Sequence, residues 1–151
     1  MIDAPMRIVL VDDDPDDIEV ALRAVRREQL PVEITVFQDG REVLDALGSN
    51  DSGGEMARLR PRAIFLDLRM PRIDGWEILR QLRANPQTKD IPVIVQSWST
   101  ERDDIARSYA LGANSFVAKR LTPGSPGFYF TDAVRYWIQL NQTPSSVGAG
   151  A

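Results

Sequence analysis

Short apolar runs alternate along the chain with stretches in which apolar residues recur at helical spacing. Five runs are rich in Ile and Val and too short to be buried helices, and they predict β-strands at residues 7–11, 33–37, 63–66, 92–96 and 115–118. The helical stretches that follow them are marked by Ile18, Ala21, Leu22 and Val25; by Val43, Leu44 and Leu47; by Ile78, Leu79 and Leu82; by Ile105, Tyr109 and Ala110; and by Phe130, Val134, Trp137 and Ile138. The pattern therefore predicts five repetitions of a strand followed by a helix.

This alternation predicts one doubly wound α/β domain. Parallel strands joined by right-handed helical crossovers form a sheet that helices cover on both faces. Asp14 and Pro15 support the first helix start, because an aspartate cap followed by a proline at the first helical position is a favoured beginning. We expect residues 1–142 to form a single domain and residues 143–151, rich in Ser, Gly and Ala, to form a flexible C-terminal tail.

The amino-acid composition excludes several kinds of chemistry and several classes of partner, but it says little about the fold. The chain has 151 residues, enough for one domain, and its net charge is -4. Without a Lys/Arg cluster, that charge argues against partners such as nucleic acid or an anionic membrane surface. The absence of cysteine and histidine excludes disulfides, thiol and imidazole chemistry and the usual zinc sites. No apolar run reaches ~18 residues and no signal peptide is recognisable, so we expect a cytoplasmic protein.

Charged and hydroxyl side chains follow four of the five predicted strands. Asp12 and Asp13 follow the first strand, Asp67 the third, Ser97 the fourth and Lys119 the fifth. In a doubly wound sheet, ligands bind beyond the carboxyl ends of the strands, at the point where the strand order reverses. Carboxylates about 5 Å apart repel by roughly 3 kcal/mol per pair at an effective dielectric constant near 20. A lysine together with Mg²⁺, which prefers oxygen ligands, would offset that repulsion.

These groups suit phosphoryl transfer. An aspartate can attack phosphorus to give an acyl phosphate, and a metal ion can neutralise charge on the transferred group. Such a reaction depends on positioning and positive charge more than on acid–base partners, which fits a chain without histidine. Each residue also has a plainer interpretation: the aspartates as a helix cap or turn, and Ser97 and Lys119 as solvated polar residues.

The motifs together resemble the receiver domains of two-component response regulators. They are Asp12-Asp13 after an apolar strand, Leu66-Asp67 followed by Met70-Pro71 and Asp74-Gly75, Pro92-Val93-Ile94-Val95 leading to Ser97, and Gly112-Ala113-Asn114 leading to Lys119. The resemblance covers about residues 7–142 and implies the flavodoxin-like receiver fold, with strand order 2-1-3-4-5 and five helices. The ending Tyr136-Trp137-Ile138-Gln139-Leu140-Asn141 looks like single-domain regulators that serve phytochrome-type and related histidine kinases.

The resemblance implies a metal site. Asp67 would be the phosphoacceptor and a ligand of Mg²⁺, Asp13 would bind the ion directly, and Asp12 would hold water bound to it. The backbone carbonyl of Arg69 would complete the protein's share of the ligands.

The resemblance to receiver domains also implies which residues respond to the phosphoryl group. Ser97 and Lys119 would contact phosphoryl oxygens, and Phe116 occupies the aromatic switch position. Arg120 replaces the proline that many receivers have after the lysine, which puts the shape of the loop up to residue 127 in question. We also expect Arg69, two residues beyond Asp67, to border the site and to alter the lifetime of the phosphoryl group on Asp67.

The resulting prediction is a stand-alone response regulator, a signalling phosphoprotein rather than an enzyme with an external substrate. A sensor histidine kinase would donate its phosphoryl group, and the signal would leave through a partner protein, onward phosphotransfer, or a homodimer formed by the face of helix 4, strand 5 and helix 5. The alternative is a Mg²⁺-dependent phosphatase with an aspartate nucleophile, for which Asp12 and Asp14 have the required spacing, although Pro15 follows at once and no cap insertion is present. A nucleotide or flavin binder ranks last, because no glycine-rich loop follows the first strand.

Overall fold

Five parallel strands form the single sheet seen in the computed structural model, which describes residues 6–48, 60–120 and 124–143. The strands lie in the order β2-β1-β3-β4-β5, and they are β1 (Met6–Val11), β2 (Val32–Phe37), β3 (Ile64–Asp67), β4 (Val93–Ser97) and β5 (Ser115–Ala118). The predicted fold and strand order are therefore confirmed. The order reverses between β1 and β3, where the sequence predicts the site.

A helix follows each strand, and the first of them begins at the expected cap residue. Within the described ranges they are α1 (Pro15–Arg27), α2 (Gly40–Leu47), α3 (Gly75–Ala84), α4 (Arg102–Ala110) and α5 (Phe128–Arg135), which continues as a π-helical turn (Tyr136–Leu140). Asp14 caps α1 by accepting hydrogen bonds from the N–H groups of Asp16 and Asp17, and Pro15 is the first helical residue. This confirms the predicted helix start.

Apolar side chains pack on both faces of the sheet. One core contains Val9, Val11, Leu66, Val95 and the buried side chains of α2 and α3. The other contains Ile8, Leu10, Phe65, Ile94 and residues of α1 and α5, including Phe130, whose ring meets that of Phe65 edge to face at 5.1 Å. Every residue of β3 and β4 is buried, so the strands that end in Asp67 and Ser97 are anchored on both sides.

The structure differs from the sequence predictions in a few places. Strands β3 and β4 end at Asp67 and Ser97, one residue beyond the predicted apolar runs. The predicted apolar face of α4 is wrong: Tyr109 is 50% exposed and Ala110 is exposed, while Ser108 is the buried residue of this helix. The Ser108 hydroxyl donates to the Asp104 carbonyl and accepts a hydrogen bond from the Trp76 indole, so a serine can be buried at this position.

The C-terminal boundary and two loops fall near the edges of the described ranges. Thr143, the first residue of the predicted tail, is 5% exposed, so the packed part of the chain extends at least that far. Residues 144–151, 121–123 and 49–59 lie outside the described part, and the predicted tail and the shape of the loop after Lys119 remain predictions there. In the described ranges, no helix is long and apolar enough to cross a membrane.

Candidate functional site

Side chains from four strand ends meet at the carboxyl edge of the sheet. Asp12 and Asp13 directly follow β1, Asp67 ends β3, Ser97 ends β4, and Lys119 directly follows β5. Parallel strands bring their carboxyl ends to the same edge, so residues far apart in sequence become neighbours. The structure therefore brings together the residues selected from the sequence.

Three carboxylates form the centre of the site. One oxygen each from Asp12, Asp13 and Asp67 lies within 4.8 Å of the other two. Asp12 is 2% exposed and Asp67 is 7% exposed. Asp12 also accepts a hydrogen bond from the N–H of Asp14 at 2.9 Å, which orients its carboxylate at the start of α1.

A glycine fixes the backbone beside Asp67. Gly75 begins α3, and its N–H donates a hydrogen bond of 2.9 Å to the carbonyl of Leu68. A Cβ atom at residue 75 would lie 2.7 Å from the Cα of Leu68, closer than nonbonded carbon atoms approach. Glycine therefore lets α3 begin directly against the end of β3, and this contact holds the Asp67 backbone in place.

Lys119 balances part of the negative charge. Its Nζ lies 2.9 Å from Asp12 Oδ2, 2.8 Å from Asp17 Oδ2 and 3.5 Å from Asp67 Oδ2, and its side chain is fully buried. Its backbone N–H donates a hydrogen bond of 2.8 Å to the carbonyl of Ser97. The lysine is thus held at its backbone by β4 and at its ammonium group by carboxylates, without a following proline.

The buried charges shift each other's titration. Burial raises the pKa of Asp67 to about 6; the Lys119 ammonium opposes this and the Asp12 carboxylate adds to it. For Lys119, burial alone would lower the pKa, but the carboxylates of Asp67 and Asp12 outweigh it, so the pKa is raised and the side chain stays charged at neutral pH.

The donor set fits a hard divalent cation. The cluster offers carboxylate oxygens only, and its three aspartates exceed the single charge of Lys119, which also pairs with Asp17. Mg²⁺ prefers oxygen ligands and is usually held by one or two carboxylates, with water and phosphoryl oxygens completing its coordination. Asp12, Asp13 and Asp67 therefore match the chemistry of a magnesium site.

Polar residues from the β4–α4 connection and the β3–α3 connection line a cleft of about 520 Å³ above these carboxylates. Ser97 Oγ accepts a hydrogen bond from the N–H of Ser99 at 3.0 Å, so the hydroxyl is engaged locally. Ser99 Oγ donates to Asp104 Oδ2 at 2.6 Å, and the guanidinium of Arg69 contacts the same oxygen at 3.2 Å. As predicted, Arg69 borders the site, and Ser99 borders it as well.

Phe116 lies away from the charged cluster. It sits on β5, is half-buried, and packs against the core that contains α2 and α3. Its place on the strand that leads to Lys119 is compatible with a switch, but its role stays a prediction.

Two residues at the site were not singled out from the sequence. Asp17 contacts Lys119, and the indole N–H of Trp98 donates a hydrogen bond of 3.0 Å to the same Asp17 oxygen. A signal for Asp17 existed, because it lies in the first turn of the helix that begins just after Asp12 and Asp13. Trp98 carries no comparable signal.

Comparison with known proteins agrees with this geometry. The sequence profile of the family described as "Response regulator receiver domain" matches residues 8–125. "Probable methanogenesis regulatory protein FilR2" of Methanothrix harundinacea (strain 6Ac) is 34% identical over 140 residues, which cover 93% of this chain and 88% of that protein. "Response regulator Rcp1" of Synechocystis sp. (strain ATCC 27184 / PCC 6803 / Kazusa) is 34% identical over 116 residues, covering 76% of this chain and 77% of that one.

Solved structures give the same result. The phosphorylated cyanobacterial phytochrome response regulator RcpA superposes with a TM-score of 0.82 at 30% identity, over 93% of this chain and 99% of that one. The Mn²⁺-bound form of Rcp1 superposes with a TM-score of 0.77 at 28% identity, again over 93% of this chain and 99% of that one.

Proposed function

This chain belongs to the response regulator receiver family, and from that premise we propose that it accepts a phosphoryl group on Asp67 from the phosphohistidine of a sensor histidine kinase. The observation that carries the proposal is the group around Asp67: two further carboxylates with oxygens within 4.8 Å and the Nζ of Lys119 at 3.5 Å. A buried carboxylate in this setting combines a nucleophilic oxygen with nearby positive charge.

In the proposed reaction, an Asp67 carboxylate oxygen attacks phosphorus. The O–P bond of an acyl phosphate forms while the P–N bond to the donor imidazole breaks, and the imidazole leaves with its electron pair and takes up a proton. Mg²⁺, held by Asp13, Asp67 and the backbone carbonyl of Arg69, with Asp12 holding water bound to it, would supply charge neutralisation for the transferred group.

The buried Lys119 ammonium can follow the new negative charge. Its Nζ is 3.5 Å from an Asp67 oxygen before transfer, so a small movement brings it to a phosphoryl oxygen. Ser97 would give up its contact with the N–H of Ser99 and turn its hydroxyl toward the phosphoryl group. Both movements favour one conformation over another, so phosphorylation shifts a population rather than creating a new fold.

The β4–α4 connection links the site to α4. Ser99 and Arg69 both contact the carboxylate of Asp104 in the first turn of that helix. Arg69 would exchange this carboxylate for the phosphoryl group and thereby lengthen the phosphate lifetime. The response of α4, β5 and α5 is the proposed output.

The proposed partners follow from this surface and from the relatives. Tyr109 on α4 is 50% exposed, and Tyr136 and Leu140 at the end of α5 are 48% and 71% exposed. These exposed side chains lie on helices of the face proposed for a homodimer, the one formed by α4, β5 and α5. The similarity to Rcp1 and to the phytochrome response regulator RcpA supports a phytochrome-type kinase as donor. We propose no substrate turnover beyond self-phosphorylation and dephosphorylation.

The test uses a small phosphodonor. The full chain is incubated with phosphoramidate and Mg²⁺, and intact mass and oligomeric state are measured for the wild type, Asp67→Asn and Asp90→Asn. Asp90 is an exposed aspartate outside the cluster and serves as the control. We expect one phosphoryl increment in the wild type and the control, and none in Asp67→Asn. An increment that survives in Asp67→Asn, or none in the wild type, contradicts the proposal.

A second assay, with a small phosphate ester in place of phosphoramidate, addresses the phosphatase alternative. In the structure Asp14 is engaged as the cap of α1, and Asp12 is bound to Lys119, so neither is arranged as the acid of a phosphatase pair. Steady release of phosphate from a small ester, without a labelled protein, would favour the phosphatase.

A further inference from the structure

The carboxylate of Asp17 binds two donors from distant parts of the chain at a single oxygen. Lys119 Nζ donates to Asp17 Oδ2 at 2.8 Å, and the indole N–H of Trp98 donates to the same atom at 3.0 Å. The Asp17 side chain is only 15% exposed, whereas Trp98 is 51% exposed. An exposed tryptophan that forms a defined hydrogen bond over a charged site is more than packing of an apolar side chain.

This contact spans the phosphoacceptor strand. Asp17 lies in the first turn of α1, which follows β1, whereas Trp98 follows β4. In the sheet, β1 and β4 flank β3, the strand that ends in Asp67. Trp98, Asp17 and Asp67 all border the same cleft. The hydrogen bond therefore joins the two sides of the entrance to the site.

We propose that Asp17 and Trp98 form a latch that holds Lys119 in the unphosphorylated protein, with Asp17 acting as a positioning residue for Lys119. The proposal rests on the function proposed above, in which Lys119 moves to a phosphoryl group on Asp67. Asp17 competes with that group for the ammonium and so sets how strongly the phosphorylated state is favoured.

The distances from Lys119 Nζ to Asp17 and to Asp67 show which carboxylate holds the lysine in this state. Lys119 Nζ is 2.8 Å from Asp17 but 3.5 Å from Asp67, so in this state the lysine is held more closely by the latch than by the phosphoacceptor. An ammonium group has three donors, and Asp12 and Asp17 accept from two of them, so the competition concerns the position of the nitrogen rather than the number of donors. Movement toward a phosphoryl oxygen weakens the contact with Asp17 and leaves that carboxylate with the Trp98 indole as its remaining donor among these residues.

The experiment compares Asp17→Asn with Asp16→Asn. Both residues lie in the first turn of α1, so both variants remove one negative charge from the same helix start, but Asp16 is exposed and makes no contact with Lys119. The probe is beryllofluoride in the presence of Mg²⁺, which mimics a phosphoryl group without turnover. The readouts are its dissociation constant and the indole N–H resonance of Trp98, which Trp98→Phe identifies among the three tryptophans.

We expect Asp17→Asn to bind beryllofluoride roughly three- to tenfold more tightly than the wild type, because this ion pair is less exposed than surface pairs, which contribute up to about fivefold. Asp16→Asn should change the affinity by less than about twofold. In the wild type the Trp98 resonance should move when beryllofluoride binds, and in Asp17→Asn it should start from a different position and move less.

Equal affinities of the two variants would overturn the latch, as would a Trp98 resonance that is identical in the wild type and Asp17→Asn. These outcomes are separate from failure of the proposed function. If the wild type itself does not bind beryllofluoride, the phosphoacceptor site and the latch are both wrong. If it binds and the two variants do not differ, only the latch is wrong.

Discussion

The substitution Asp67→Asn should stabilise the protein at neutral pH when Mg²⁺ is absent. Asp67 is 7% exposed and lies beside other carboxylates, and burial raises its pKa from 3.8 to about 6. The folded protein therefore binds the proton more tightly than the unfolded chain does. The amide of asparagine has nearly the same shape and carries no charge, so it resembles the protonated form.

The direction of the pH dependence follows from proton binding. Between pH 3.8 and about 6 the folded protein retains a proton that the unfolded chain has lost, so the free energy of unfolding falls as pH rises through this window. The full loss, about 3 kcal/mol, is reached near pH 7.5, whereas at pH 4 it is about 0.5 kcal/mol. The advantage of Asp67→Asn should therefore grow by about 2.5 kcal/mol from pH 4 to pH 7.5.

Urea unfolding in EDTA at several pH values measures this difference. The chain has no histidine, so few other side chains titrate between pH 5 and 7.5. Subtracting the wild-type curve removes contributions shared by both proteins, such as that of Glu28, whose pKa is lowered by hydrogen bonds from Thr131 and Arg135. Added Mg²⁺ should stabilise the wild type more than the variant. A stability difference that does not change with pH, or a variant less stable at pH 7.5, would refute the reasoning.

Three further substitutions test other parts of the site. Lys119→Met should lower the free energy of unfolding by about 3 kcal/mol or more in urea titrations, because it leaves buried carboxylates unpaired; a smaller loss in Mg²⁺ than in EDTA is expected. Arg69→Ala should speed loss of the phosphoryl group by roughly two- to fivefold in a mass-based time course, as expected for removing one exposed cation, and an unchanged rate would exclude the proposed contact. Gly75→Ala should cost about 1–3 kcal/mol of unfolding free energy, since the new methyl group displaces the backbone next to Asp67, and phosphorylation should slow; a variant as stable as the wild type would show that the contact can relax.

Much of the site was predictable because, in a parallel sheet, the carboxyl ends of all the strands lie at the same edge. Once the alternating pattern indicates a parallel doubly wound sheet, Asp12 and Asp67 must meet at the reversal between β1 and β3. The same rule places Lys119 and Ser97 beside these aspartates, whereas a lysine or serine considered alone would predict no site. The identity of Phe116 as a switch depends on resemblance to the family, because nothing in its packing points to the site.

Other features depend on side-chain directions that a linear pattern does not contain. The apolar spacing of Ile105, Tyr109 and Ala110 predicts an inward face, yet Ser108 is the buried residue of α4. It is satisfied there by donating to the Asp104 carbonyl at 2.8 Å and accepting from the indole N–H of Trp76 at 3.2 Å. Hydrogen bonds to partners 4 and 32 residues away decide this orientation. The contact between Trp98 and Asp17 is of the same kind.

The polar anchoring of α4 explains how a small change at the site can reach a distant surface. In α3, Ile78, Leu79 and Leu82 are buried, and moving that helix would expose a large apolar area. In α4, all of whose residues are described, Ser108 alone is buried. Its hydrogen bonds can be exchanged for bonds to water at little net cost, whereas buried apolar contacts cannot. A helix held in this way can take the second position that the proposed response to phosphorylation requires, while α3 keeps β3, the strand that ends in Asp67, fixed.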